Sequence, residues 1–484
     1  MGIKDLKPQL IWSYFDEITR VPRPSKKEEK IRAYLLDFAK KHNLTVRTDA
    51  TGNVLICKSA TPGCEDRPGV ILQSHMDMVC EKNAGVEHDF DKDPIDAYID
   101  GEWVKARGTT LGADNGIGMA AALAVLASDD LVHPSLEALF TVDEETGLTG
   151  AFGMEEGFIS GKYLLNLDSE DEAEIFIGCA GGIDTTSTFT YTTYPFPAGY
   201  VALRISVSKL QGGHSGSDIN EGRGNANKIL ARFLCQCIGK YDMQLCAIDG
   251  GNLRNAIPRE AWAVVAVPAD CKEAMRVDLN IYQSVIESEL AAADPAVEIT
   301  LASCDAPSEC IDKATAVALL RSLYACPHGV IGMSRDIPGL VETSTNLASV
   351  KMKGNTIVVA TSQRSSVESL KKDIAGQIEN LFALAGAVPT HGDGYPGWKP
   401  NLKSPLLDVA VKAYEELYDV TPAVKAIHAG LECGLFLEKN PGLHMISFGP
   451  TLRGVHSPDE KMHIPAVEKF WDHLTLILKK LAGH

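Results

Sequence analysis

Short apolar runs punctuated by glycine, proline and acidic residues recur along the chain, and helical and strand periodicities alternate among them. Residues 4–20 repeat apolar positions at helical spacing. "NVLICKSA" and "GVILQSHMDMV" are continuous aliphatic runs bounded by turn formers, the pattern of buried strands. "GIGMAAALAVLASDD" is alanine-rich and apolar on every face, which predicts a buried helix. "SLEALFTVDEETG" begins as a strand, and "KYLLNLDSEDE" is a short one. Strands alternating with helices predict an α/β fold: a mixed, mostly parallel sheet flanked by helices.

The texture changes after "GCAGGIDTTSTFTYTTYPFPAGY". Its threonine alternation and the Pro/Gly cluster at Tyr194–Tyr200 suggest a crossing between domains. β-rich pieces follow ("YVALRISVS", "AWAVVAVPA", "GNTIVVATS"), separated by helices such as "NANKILARFLCQCIGKY". A second breaker cluster, "THGDGYPGWKPNLKSP", closes this region near Pro400. The α/β texture then returns with "LLDVAVKAYEELY", "GLHMISFGP" and "AVEKFWDHLTLILKKLAG". One α/β domain, residues 1–183 and 401–484, is therefore expected to be interrupted by an α+β insert, 184–400, itself of ordinary domain size.

Length agrees, since 484 residues exceed what one hydrophobic core holds. The formal net charge is −18 with no basic cluster, which argues against nucleic acid or anionic lipid as a partner. No apolar segment is long enough to span a bilayer, and the start lacks the pattern of a secretory signal, so a cytoplasmic location is expected. The twelve cysteines include no C-x-x-C pair, and several lie in apolar runs. They read as buried thiols in a reducing compartment and argue against a cysteine-based zinc site.

The candidate chemistry lies where strands end, since ligands of parallel sheets gather at the carboxyl ends of strands. "VILQSH" ends at His75, "LEALFTVDEE" at Asp143, Glu144 and Glu145, and "YLLNLD" at Asp168. "LGADNGIGM" puts Asp114 in a glycine-bearing loop before the alanine-rich helix, and His456 lies in the loop after the late strand. Taken singly, each has an ordinary reading: Asp114 as a helix N-cap, "DEE" as a solvated turn, His456 as a loop histidine. Together they are five ligand types of one chemical class. Imidazoles and carboxylates without thiolate suit Zn²⁺, Mn²⁺ or Co²⁺, and their number suits two ions sharing one carboxylate. His75 and Asp77 face the same way on an extended strand, so Asp77 can fix the His75 tautomer. Glu144 and Glu145 diverge, so one can bind metal while the other serves as general base.

The motifs "SHMDMV", "LGADNGIG", "DEETGLTGA", "NLDSED", "GGHSG" and "HSPDEKMHI", in this order, resemble the co-catalytic zinc peptidase family that includes carnosinase and the glutamate carboxypeptidases. The resemblance implies a zinc-peptidase-like catalytic domain with an inserted lid, and it makes Asp114 the bridging carboxylate. His75 and Asp168 would complete one metal site, Glu145 and His456 the other. Glu144 would be the general base, Asp77 the orienting carboxylate, and the peptide bond after Asp114 cis. In the lid, His214 would stabilise the oxyanion, and Asn255 and Arg364 would hold substrate. The implied activity is hydrolysis of small dipeptides, with a preference for C-terminal histidine, by a homodimer carrying two divalent ions, zinc by default with cobalt or manganese as alternatives. "HAGLECG", His428 to Gly434, matches a family loop without a defined role. An N-acyl amino acid deacylase or aminopeptidase of the same fold, and a non-enzymatic metal or peptide binder, are the rival readings.

Overall fold

The computed structural model describes residues 2–484. The chain divides into two compact units, one formed by residues 1–178, 400–426 and 431–484, the other by 179–399 and 427–430. The short return at 427–430 has no counterpart in the boundaries expected from the sequence.

The first unit is built on an eight-stranded mixed sheet, in the order Thr45–Thr48, Val54–Lys58, Leu136–Thr141, Val70–His75, Tyr163–Asn166, His444–Ser447, Glu174–Cys179, Ala423–Ile427. Its centre is parallel: Val70–His75 runs parallel to both neighbours, and Tyr163–Asn166 parallel to His444–Ser447. Val70–His75 is buried at every position, which explains its unbroken apolar run. The helix Ala113–Ala127 packs against it and is buried along nearly its whole length. Helix Gln9–Thr19 covers that helix with Ile11, Trp12, Phe15 and Ile18. It begins only after Pro8, whose ring disfavours helix in the preceding residue, so the periodicity seen from residue 4 starts too early.

Helix Ala113–Ala127 needs its glycines for contact. A Cβ on Gly118 would lie 2.0 Å from Asn115 Oδ1 and 2.6 Å from the Leu167 carbonyl oxygen. Gly118→Ala is therefore expected to lower stability by about 1–3 kcal/mol, as overpacking does, although alanine is the better helix former by about 1 kcal/mol. Thermal melting checks this; an unchanged or raised Tm would show that the helix has room to move.

The second unit is built on a nine-stranded, largely antiparallel sheet. Leu203, Ile205 and Val207 point into its core from the strand Tyr200–Ser208, while Arg204 lies over the Trp262 ring on the other face. Helices Ala226–Lys240, Lys272–Glu289, Lys313–Ala325 and Glu368–Leu384 contribute Leu230, Leu279, Leu319 and Ile378 to the same core. The threonine-rich part of the stretch expected to hold a crossing forms the strand Gly181–Thr190, paired with Thr356–Ser365 and Val388–His391. β-branched threonine suits a pleated surface, and the passage from the first unit to the second falls just before this strand, between Gly178 and Cys179.

Candidate metal centre

The carboxyl ends of three adjacent parallel strands open onto one cluster in the first unit. His75 is the last residue of its strand, and it is almost completely buried. Its Nε2 lies 2.9 Å from Asp114 Oδ1 and 3.3 Å from Asp168 Oδ1. His456, in a left-handed conformation with φ 60°, points its Nε2 at the other oxygen of Asp114, Oδ2, at 3.2 Å, and at Glu145 Oε2 at 3.1 Å. The five predicted ligand residues thus converge, with the Asp114 carboxylate between two imidazoles. The peptide bond following Asp114 is cis, as the resemblance implied.

Asp77 organises the cluster from behind. Its Oδ1 lies 3.3 Å from His75 Nδ1, and its carboxylate accepts hydrogen bonds from the Ser25 hydroxyl and the backbone N–H groups of Glu144 and Glu145. Burial pushes the Asp77 carboxyl up, but the His75 ring, Ser25 and these amides outweigh it and hold it down at about 2. Asp143 is buried on the Asp77 side, with one ligand atom each from Glu28, Asp77 and Asp143 within 4.8 Å of the others, and its carboxylate accepts from the hydroxyls of Thr146 and Thr149.

The carboxylates and imidazoles of the cluster shift one another. Burial, then nearby carboxylates, raise Glu144 well above its ordinary value, although His75 opposes the shift. Burial lifts Asp168 to about 6. Hydrogen bonds to Asp114 and Glu145 lift His456 to about 11. Glu145 Oε1 is buried with no hydrogen-bond partner. One ligand atom each from His75, Asp114 and Glu145 lies within 4.8 Å of the others. Nitrogen and carboxylate oxygen donors so crowded, one of them orphaned, fit divalent ions of the zinc, manganese or cobalt type.

The other three predicted residues belong to the second unit. His214 pairs with Ala256 in a two-stranded ribbon, and the Ser215 N–H donates to the carbonyl of Asn255. His214 Nδ1 accepts from the N–H groups of Gly216 and Ser217, at 3.1 and 3.2 Å. An acceptor Nδ1 assigns the proton of the neutral ring to Nε2, which is then a donor. Burial and the Arg364 charge lower the His214 pKa, so the neutral ring prevails. Arg364 is buried and donates to the Tyr395 hydroxyl at 3.0 Å, while its Nε has no partner. Asn255 is exposed, and the Asn346 amide donates to the carbonyls on either side of it, those of Arg254 and Ala256.

The loop left without a role by its sequence also takes its place. The segment "HAGLECG" divides between the units. His428 meets the Ser344 hydroxyl at 2.7 Å in the second. In the first, Glu432 is buried and its Oε2 accepts from Gln73 Nε2 at 2.6 Å and Thr141 Oγ1 at 2.8 Å. Gln73 lies two residues before His75 and Thr141 two before Asp143, so Glu432 supports the strand ends that carry the cluster. The motif "HAGLECG" marked the segment, but the partners of Glu432 lie 291 and 359 positions earlier and left no local signal.

Residues 71–480 match peptidase family M20/M25/M40, and the chain belongs to it: it is a hydrolase acting on peptide bonds. It is 45% identical to the cytosol non-specific dipeptidase of Escherichia coli K12 over 99% of both chains. Among solved structures it is similar to aminoacylhistidine dipeptidase from Vibrio alginolyticus, with a TM-score of 0.94 and 44% identity over 99% of this chain and 98% of that one. Aminopeptidase PepT from Bacillus cereus shares the fold at 16% identity and a TM-score of 0.58, with 99% of each chain covered.

Proposed function

We propose that the protein is a dinuclear metallo-dipeptidase of the cytoplasm, with a preference for C-terminal histidine. The observation that carries this reading is the Asp114 carboxylate, whose two oxygens face two different histidine Nε2 atoms, each beside a further carboxylate. His75, Asp114 and Asp168 would hold one ion, and Asp114, Glu145 and His456 the other, zinc by default. When bound, such ions activate a water and polarise the scissile carbonyl.

The chain's own groups do the rest. Glu144 takes the proton of the attacking water on its carboxylate and delivers it to the leaving amine. Asp77 keeps the His75 ring oriented and fixes the backbone of Glu144 and Glu145. His214, donating from Nε2, stabilises the developing oxyanion. Arg364 and Asn255 hold the free carboxylate of the substrate, the guanidinium with its two-pronged fork. The names of the two relatives near 45% identity support a dipeptide substrate, and that of the Vibrio enzyme supports histidine at its C-terminus. For the homodimer, Val277, Ile281 and Val285 supply an exposed apolar stripe on successive turns of helix Lys272–Glu289.

Metal analysis of the purified protein, beside a panel of dipeptides with and without C-terminal histidine and of N-acetyl amino acids, tests the reading. Two equivalents of metal, the highest kcat/KM on Xaa-His and no deacylation are expected. Hydrolysis of N-acetyl amino acids with none of dipeptides would assign the protein to the deacylases instead.

A further inference from the structure

Two buried charged side chains outside the ligand set, Glu460 and Arg23, meet at the backbone that leads into Asp114. Glu460 lies four residues after His456. Its Oε2 accepts the N–H groups of Leu111 and Gly112 at 2.7 and 2.9 Å, and its Oε1 those of Ala113 and Asp114 at 2.8 and 3.3 Å. Every one of these amides precedes or belongs to the residue that faces both imidazoles.

Arg23 approaches the same segment from its carbonyls. It donates to the carbonyl of Gly112, and also to those of Met76 and Asp77, at 3.2 and 2.6 Å, in the loop directly after His75. The fit is tight. Gly112 has φ 69°, and a Cβ there would lie 2.6 Å from the Arg23 guanidinium and 2.8 Å from Met78 Sδ. A Cβ on Gly116 would meet the same guanidinium at 2.8 Å.

We infer that Glu460 and Arg23 are positioning residues of the metal centre, which tie the loops of His75, Asp114 and His456 into one frame. Glu460 joins the His456 loop to the Asp114 loop through amides, and Arg23 joins the Asp114 loop to the His75 loop through carbonyls. A buried carboxylate that accepts four amides and a buried guanidinium that donates to three carbonyls resist displacement, because any shift strips hydrogen bonds from a desolvated charge. The ligands are thereby placed before an ion arrives, and an ion need not order them on binding. The inference rests on the dinuclear reading above.

The test compares wild type with Glu460→Gln and Arg23→Lys. Stepwise Co²⁺ titration of the metal-free proteins, against a chromogenic chelator, gives stoichiometry and affinity; kcat and KM on a dipeptide are measured at low and at saturating metal. Both variants should bind metal about 10–100-fold more weakly, the usual effect of losing an outer-shell partner. Their kcat should fall at limiting metal and recover at excess metal, with KM unchanged. A merely structural role would not give that recovery. Unchanged affinity in the folded variants, or lost activity that excess metal does not restore, overturns the inference. Glu460→Asp, which keeps the charge and shortens its reach, makes the same comparison if Glu460→Gln does not accumulate as folded protein. If wild type itself binds fewer than two ions or cleaves no dipeptide, the dinuclear reading fails, and with it the premise.

Discussion

Glu144→Gln is expected to retain both metal ions and to lower kcat by about 10²–10⁴-fold, the range a positioned general base contributes. The structure explains why the two effects separate. The backbone N–H groups of Glu144 and Glu145 are held by Asp77, so the turn does not depend on the Glu144 side chain. Glu145 Oε2 faces His456, whereas Glu144 makes no ion pair with either imidazole among the described residues. Glutamine keeps the size of the side chain and removes only its ability to take a proton. KM should change little, because no substrate contact is assigned to this group. Metal content by elemental analysis and steady-state kinetics check the result. Turnover within tenfold of wild type would move the role of base to another residue, and loss of metal would make Glu144 a ligand.

The convergence of the strand-end candidates was legible from a simple rule. His75, the acidic run at 143–145 and Asp168 each close or follow an apolar strand, and a parallel sheet brings such ends to one edge, while Asp114 opens the buried helix beside them. His75 and Asp168 illustrate it, their strands pairing directly in parallel. The general shape of the α/β unit was legible from the same alternation. What stayed hidden was support that depends on backbone groups. Arg23 stands in "RVPRPSKK" and reads as an exposed basic residue, yet it is buried because three carbonyls from two distant loops receive it. Glu460 lies in the motif "HSPDEKMHI", and only the fold brings the amides of residues 111–114, some 350 positions earlier, around it. Side-chain type predicts chemistry better than it predicts which backbone will be near.

The largest expected effect belongs to Asp114. Burial opposes its charge, but the two histidines hold its carboxyl well below the usual carboxylate range. Asp114→Ala removes the one group that both imidazoles face. His75 would keep Asp168 at 3.3 Å and His456 would keep Glu145 at 3.1 Å. Each half then offers two protein ligands, fewer than the three of an open catalytic site. Metal content should therefore fall from two equivalents to one or none, and kcat/KM by about 10⁴-fold or more, as happens when a member of an interdependent catalytic unit is removed. Asp114→Asn should fare nearly as badly, because an amide offers one neutral oxygen where two charged ones are needed. The fold should survive both changes: the main chain at Leu111–Ala113 is held by Glu460 and Arg23, whose bonds do not involve the Asp114 side chain. Circular dichroism separates loss of the site from loss of the fold. If Asp114→Ala folded, kept two equivalents of metal and cleaved dipeptides within tenfold of wild type, the two imidazoles would not share a carboxylate in the working enzyme, and the dinuclear arrangement would have to be abandoned.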